Sequence, residues 1–310
     1  MNPLLVVNPR SGGGKTGKTF DAMRAAIQQR LGEVDVELTL HPGHGIALAR
    51  DAARAGRPLV VAVGGDGTLN EVVNGLMQAR PHATRVGLIG QGTGGDFRRT
   101  LGIEHRLDRY LDALASGHER ALDVGKLRYR TNDGAVGERF FVNILSLGMG
   151  GLVDQYVAES SRALGGTAAY FVASGRALIH CRRGRVRCTM TRDGQQEQVR
   201  LEAFMIAICN GRYFGSGMHV APMATLDDGT FEVVAMDAPS KLAFALGSRA
   251  IYSGEHVRAK TTRHFRCDAL EMSLENEDAS DVFLLDVDGE ALGKMPIRVE
   301  MLPGALTLRA

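Results

Sequence analysis

Short apolar runs alternate with helically spaced apolar positions through about the first 120 residues. "PLLVV" predicts a buried strand, followed by a turn and a helix over residues 15–31. "VDVELTL" predicts a second strand, and "GIALARDAARAG" a helix with Ile46, Ala49 and Ala53 on one face. "PLVVAVGG" is unbroken apolar sequence, the mark of a strand covered on both faces. "TLNEVVNGLMQA" sets Leu69, Val72, Val73 and Leu76 at helical spacing, and "RVGLIG" and "LDRYLDALASG" add another strand and helix. Such alternation predicts an open α/β domain with a parallel sheet.

Beyond Arg120 the pattern becomes strand-like. "RALDVGKLRYR", "RFFVNILSLGM", "GRVRCTMTR", "VRLEAFMIAICN", "TFEVVAM", "FRCDALEMSLEN", "VFLLDVDG", "PIRVEML" and "ALTLRA" each predict a strand, several joined by turns such as Asn132-Asp133-Gly134 and Arg192-Asp193-Gly194. Helical patches interrupt them near 151–181 and 239–254. The expected division is therefore an α/β domain over residues 1–122 and a β-rich domain over 123–310.

Composition narrows the function classes. A chain of 310 residues with 44% hydrophobic and 23% charged residues has the balance of a soluble protein with a sizeable core. A net charge of +2 gives no case for nucleic acid. Cys181, Cys188, Cys209 and Cys267 lack C-x-x-C spacing, and are expected as reduced core thiols of a cytoplasmic protein. Pro9 and Arg10 cut the N-terminal apolar run too short for a signal peptide, and no run approaches the ~20 residues of a membrane-spanning helix. A protein of this kind that handled lipid would visit the membrane surface.

Three glycine turns follow strands of the first domain: Gly12-Gly13-Gly14, Gly64-Gly65-Asp66-Gly67-Thr68, and Gly90-Gln91-Gly92-Thr93-Gly94-Gly95-Asp96. In a parallel sheet they fall on one crevice beyond the strand ends, where glycine backbone and helix N-termini approach phosphate closely. "GGGKTGKT" also contains a literal P-loop pattern, Gly12-x-x-x-x-Gly17-Lys18-Thr19. A P-loop leaves its strand straight into the first glycine, whereas Asn8-Pro9-Arg10-Ser11 intervene here. The glycines, rather than Lys18, are expected to approach the nucleotide.

"GGDGTLNEVVNGL", with "VVNPRSGGGK" before it and "GTGGDFRRTLGI" after it, resembles the diacylglycerol kinase catalytic-domain family, especially bacterial soluble lipid kinases related to sphingosine and ceramide kinases. "FVNILSLGMGG", "NGRYFGSGMHVAPMATLDDGTFEVV" and "LDVDGE" extend the resemblance over nearly the whole chain. It implies an N-terminal α/β domain like those of NAD kinases and phosphofructokinases, then a β-sandwich. It also implies an active site in the inter-domain cleft, and a last segment returning toward the first domain.

The roles carried over follow the motifs. Gly64, Gly65, Asp66, Gly67, Thr68, Leu69 and Asn70 would hold the phosphates of ATP, with Thr93 and Thr39 as further nucleotide contacts. Asp66 is open to a catalytic Mg²⁺ or to ordering its turn, and Thr39 to a nucleotide or to a capping hydrogen bond. Asp288 is expected as the base that takes the acceptor proton, with Glu290 as the alternative or its support. Two residues apart in a strand, both would point to one side. Read without the resemblance, "DVDGE" is an acid-rich hairpin turn. Asp228, with the carbonyls of Thr225 and Thr230, resembles a structural Mg²⁺ site. One departure is Gly95, where the family usually has Asn.

The implied activity is ATP-dependent phosphorylation of a hydroxyl on a glycerolipid or sphingoid-like lipid. NAD kinase shares the Gly-Gly-Asp-Gly-Thr turn and stands as the alternative, beside a non-catalytic sensor on the same fold. Monomer and homodimer both remain open. The arginines of "CRRGRVR" are open to anionic lipid or to solvent, and the helices "AAYFVASGRALIHC" and "KLAFALGSRAIY" to an acyl pocket or to the core.

Overall fold

The computed structural model describes residues 1–159 and 166–310. The chain divides into two compact units, residues 1–124 with 303–310, and residues 125–302.

In the first unit, β1 (Leu4–Val7), β2 (Asp35–Leu38), β3 (Leu59–Gly64) and β4 (Arg85–Gly90) run parallel in the order β2-β1-β3-β4. The helices are α1 (Ser11–Leu31), α2 (His44–Arg54), α3 (Asp66–Ala79), α4 (Asp96–Leu101) and α5 (Leu107–Ser116). Every residue of β3 is buried, as its unbroken apolar run requires. Leu5, Val7, Leu59, Val61 and Val63 meet Phe20, Met23 and Ile27 of α1 and Leu111 and Leu114 of α5. The alternate positions face α2 and α3. The chain leaves β1 to one side for β2 and to the other for β3, so the switch point lies at the carboxyl ends of β1 and β3.

The last segment joins this sheet. Leu308 pairs in parallel with Val86 of β4, and the Gly304 amide donates to the buried Asp123 carboxylate at 2.7 Å. The Arg309 guanidinium donates to the Leu114 carbonyl at 2.7 Å.

The second unit is a β-sandwich. Its strands are the later part of β5 (Glu119–Thr131), then β6 (Val136–Phe141), β7 (Ile144–Gly148), β8 (Gly184–Arg192), β9 (Gln195–Ala203), β10 (Met205–Cys209), β11 (Phe231–Met236), β12 (Thr262–Cys267), β13 (Ala269–Leu274), β14 (Leu284–Val287) and β15 (Glu290–Arg309). One sheet runs β12-β11-β10-β7-β14-β15, antiparallel throughout. The other runs β9-β8-β13-β15 and is joined by the β5–β6 pair. Leu145, Ile206 and Val233 from one sheet and Val186, Leu270 and Val299 from the other form one core. Helices α6 (Met149–Glu159), α7 (Gly166–His180), α8 (Lys241–Gly247) and α9 (Ala250–Ser253) complete the unit.

Several strands expected as single runs are two. "VRLEAFMIAICN" breaks at Phe204, whose amide donates to the Met236 carbonyl, so β9 and β10 lie in different sheets. "FRCDALEMSLEN" breaks likewise at Asp268, between β12 and β13. These one-residue corners carry the chain between layers without interrupting the apolar pattern. Conversely, "PIRVEML" and "ALTLRA" belong to the single long β15. Of the helical stretch expected over 151–181, residues 160–165 lie outside the described residues.

Candidate active site

The three glycine turns are tied together by short polar contacts. Asn8, at the end of β1, donates its side-chain amide to Thr68 Oγ1 at 3.2 Å, and the Gln91 amide donates to the Gly64 carbonyl at 2.7 Å. A methyl on Gly92 would lie 2.6 Å from Gly65 Cα, and one on Gly12 2.7 Å from the Gln91 carbonyl oxygen. Only glycine permits these backbones to approach so closely. Gly65 is the N-cap of α3 and has no side chain to cap the amides of that helix's first turn. Uncapped amides at the positive end of a helix, beside glycine backbone, fit an anionic phosphate.

The polar side chains of this region are mostly spent on the fold. Both Asp66 oxygens accept amides from the third turn, Asp96 N at 3.0 Å and Phe97 N at 3.2 Å, which orders that turn. Thr68, Leu69 and Asn70 are buried, and the Asn74 side chain donates to Asn70. Glu71 accepts the amides of Gly43 and Gly45 at the start of α2, and Gly75 sits against the Ile46 carbonyl. The second half of "GGDGTLNEVVNGL" is therefore helix packing and capping. Thr39 is nearly buried beside the first turn, its amide on the Val7 carbonyl, while Thr93 is exposed. Gly95 adopts φ 62° and ψ 42°, left-handed backbone that Asn also tolerates. The exchange keeps the turn and removes an amide side chain.

The P-loop pattern dissolves in the structure. Gly12, Gly13 and Gly14 have left-handed φ and the regular helix follows them. Gly17 therefore lies within the regular helix, its amide donating to the Pro9 carbonyl at 3.1 Å. Thr19 spends its hydroxyl on the Lys15 carbonyl, and Lys18 is exposed.

In the second unit, "DVDGE" forms the two-residue hairpin that joins β14 to β15, with Val287 opposite Glu290. Asp288 and Gly289 both have positive φ, 49° and 87°, as a type I′ turn demands. The expectation that strand alternation sets both acids on one side is thus corrected. Asp288 is buried, its Oδ1 accepting the Ile144 amide at 3.0 Å while its own amide donates to the Ile144 carbonyl. Glu290 is more accessible, its side chain 37% exposed, and Arg139 Nη2 of β6 donates to its Oε2 at 2.6 Å. Of the two carboxylates, Glu290 is the more accessible.

A second pair of acids lies close by and carried no motif. Asp286 on β14 accepts Ser146 Oγ at 3.2 Å, and its other oxygen is buried with no hydrogen-bond donor in reach among the described residues. Its neighbour there is the Asp154 carboxyl of α6. Burial pushes both groups above the ordinary carboxylate range, and for Asp286 the Asp154 charge adds to the rise. Both carboxyls are thus biased toward their protonated forms.

At Asp228 the expected Mg²⁺ meets an arginine. Asp228 Oδ1 accepts the Thr230 amide and hydroxyl at 3.0 and 2.9 Å, and Oδ2 pairs with Arg266 Nη2. Thr225 places a buried hydroxyl nearby in sequence, without a hydrogen-bond partner. Among the described residues no three His, Cys, Asp or Glu side chains gather to hold a metal. A cationic guanidinium on the one carboxylate does not fit a structural Mg²⁺, which requires free oxygen ligands.

Arg182, Arg183 and Arg187 pair with Asp278, Asp237 and Glu275. All four cysteines are free and buried, and burial pushes the Cys188 thiol up to about 12. Of the apolar helices, Phe244 is core, whereas Ile179, Leu242 and Leu246 are exposed. The side chains of residues 168–171 lie outside the described residues.

Residues 2–127 match the diacylglycerol kinase catalytic domain, and residues 143–310 the YegS C-terminal NAD kinase beta sandwich-like domain. A probable lipid kinase YegS-like protein of Chromohalobacter salexigens is 30% identical over 278 residues, 89% of this chain and 83% of that protein. A diacylglycerol kinase of Bacillus subtilis is 26% identical over 297 residues, 94% of this chain and 90% of that protein. Among solved structures, a putative diacylglycerol kinase from Bacillus anthracis superposes with a TM-score of 0.76 at 23% identity, covering 99% of this chain and 96% of that one. Yeast NADH kinase complexed with NADH gives a TM-score of 0.51 at 11% identity, covering 99% and 82%. Both likenesses are of fold.

Proposed function

Because the chain belongs to the bacterial lipid kinase family that joins a diacylglycerol kinase catalytic domain to an NAD kinase-like β-sandwich, we propose that it moves the γ-phosphoryl group of ATP to a lipid hydroxyl. The acceptor is a glycerolipid or sphingoid-like lipid. The observation that carries this reading is the knot of glycine turns at the uncapped start of α3. It offers backbone amides to a polyphosphate and leaves no room for side chains in between.

Phosphoryl transfer asks a protein mainly to hold the reactants in line and to stabilise spread charge. The α3 amides and the glycine backbone bind the phosphates. Glu290 receives the acceptor proton as the hydroxyl oxygen bonds to the γ-phosphorus, and ADP departs with the broken bridging oxygen. Arg139 donates to Glu290 and orients its carboxylate toward the acceptor. Asp288 pins the hairpin on which Glu290 stands. A lipid acceptor places the reaction at a membrane surface, and among the described residues no helix is long and apolar enough to cross a membrane.

The test is incubation of the purified protein with γ-labelled ATP, Mg²⁺ and micelles of diacylglycerol, monoacylglycerol, ceramide or sphingoid base, beside NAD. Label in a lipid, lost with Glu290→Gln, is the expected result. Label in NAD and in no lipid overturns the reading.

A further inference from the structure

The arginine at Asp228 does more than obstruct a metal. β11 and β12 are paired so that Glu232 lies opposite Arg266, which brings the guanidinium between Glu232 and the Asp228 turn that leads into β11. Nη2 pairs with Asp228 and donates to Thr230 Oγ1 at 2.8 Å, and Nε lies 3.1 Å from Glu232 Oε1. The Thr230 hydroxyl accepts from Arg266 and donates to Asp228. Glu232 is buried, its side chain 4% exposed, and its second oxygen is held by His264. A buried carboxylate of this kind requires a cation in contact with it. Arg266 supplies that cation and, with the same planar group, closes the Asp228–Thr230 turn.

We propose that Arg266 is the resident cation of this site, a fixed guanidinium in place of a bound divalent ion, so that the second unit is held together here without metal. Arginine suits the task because its fork spans two carboxylates and its charge persists at every working pH. A dication at Asp228 would have to displace Arg266 and leave Glu232 without its arginine. The guanidinium and the ion are therefore mutually exclusive occupants of one place. This inference concerns stability and stands or falls apart from the kinase reading.

The experiment is thermal unfolding of the nucleotide-free full chain in EDTA and in millimolar MgCl₂, for wild type, Arg266→Gln and Asp228→Asn. The wild-type Tm is expected to be the same in both buffers. Arg266→Gln should fall by about 2–4 °C in EDTA and recover part of the loss in Mg²⁺, once the carboxylates are free for it. A wild-type Tm that rises with Mg²⁺, with the rise abolished in Asp228→Asn, overturns the proposal. So does an Arg266→Gln chain as stable in EDTA as wild type. Should Arg266→Gln fail to fold, the wild-type and Asp228→Asn comparison still decides.

Discussion

Asp288 and Glu290 differ in surroundings because one turn separates them. The left-handed backbone at Asp288 folds its carboxylate back onto Ile144, while Glu290 begins the next strand with Arg139 beside it. Asp288→Asn should leave turnover within a few-fold of wild type. Asn tolerates the left-handed region, and its side-chain oxygen can still accept the Ile144 amide. Glu290→Gln should lower kcat about 10²–10⁴-fold, the usual loss when a proton acceptor is removed, with little change in Tm. Steady-state kinetics on the lipid substrate decide the matter, and a dead Asp288→Asn beside an active Glu290→Gln would return the base to Asp288. The sequence shows both acids plainly. What it conceals is that Asp288-Gly289 is a two-residue loop, because an acid pair in a strand and one across a turn are spelled alike.

At the scale of elements, the glycine turns were legible because each ends a strong apolar run and opens a helix. Their contacts with one another were not. That Gly92 rests on Gly65, or that Asn8 reaches Thr68, depends on strand order in the sheet, which no local pattern encodes. The same limit hid the one-residue corners at Phe204 and Asp268, whose apolar flanks read as continuous strands. Gly92→Ala should part the second and third turns and raise the KM for ATP at least about tenfold, since a methyl 2.6 Å from Gly65 Cα must displace backbone. Lys18→Ala should cost only a few-fold, because Lys18 is exposed. A P-loop lysine would instead cost about 10²–10³-fold in kcat, as loss of preorganised charge stabilisation does. Measuring both variants in one assay separates the two architectures, and a near-normal Gly92→Ala with a dead Lys18→Ala would restore the P-loop.

For the whole molecule, the division into an α/β unit and a β-sandwich followed from hydrophobic periodicity together with the family resemblance. The Asp154–Asp286 pair did not, since its members are 132 residues apart and belong to no motif. Its consequence is a pH dependence of global stability. Unfolded, both carboxyls ionise near their ordinary value of 3.8; folded, burial holds their protons to higher pH. The folded state then binds more protons than the unfolded state above that ordinary value. The pair's contribution is therefore fully present below it and is lost as pH rises through the raised folded values. Each pH unit spent in that window costs about 1.4 kcal/mol. Asp286→Asn removes one of the titrating groups and places an amide donor beside Asp154. The variant should therefore gain on wild type as pH rises: a Tm advantage of about 2–4 °C per kcal/mol relieved at pH near 8, shrinking toward the ordinary carboxylate range. Other groups that titrate on acid unfolding are common to both chains, so the difference in Tm isolates the pair. A difference that stays flat from acid to neutral pH would mean that burial does not hold these carboxyls above their ordinary range in the folded protein.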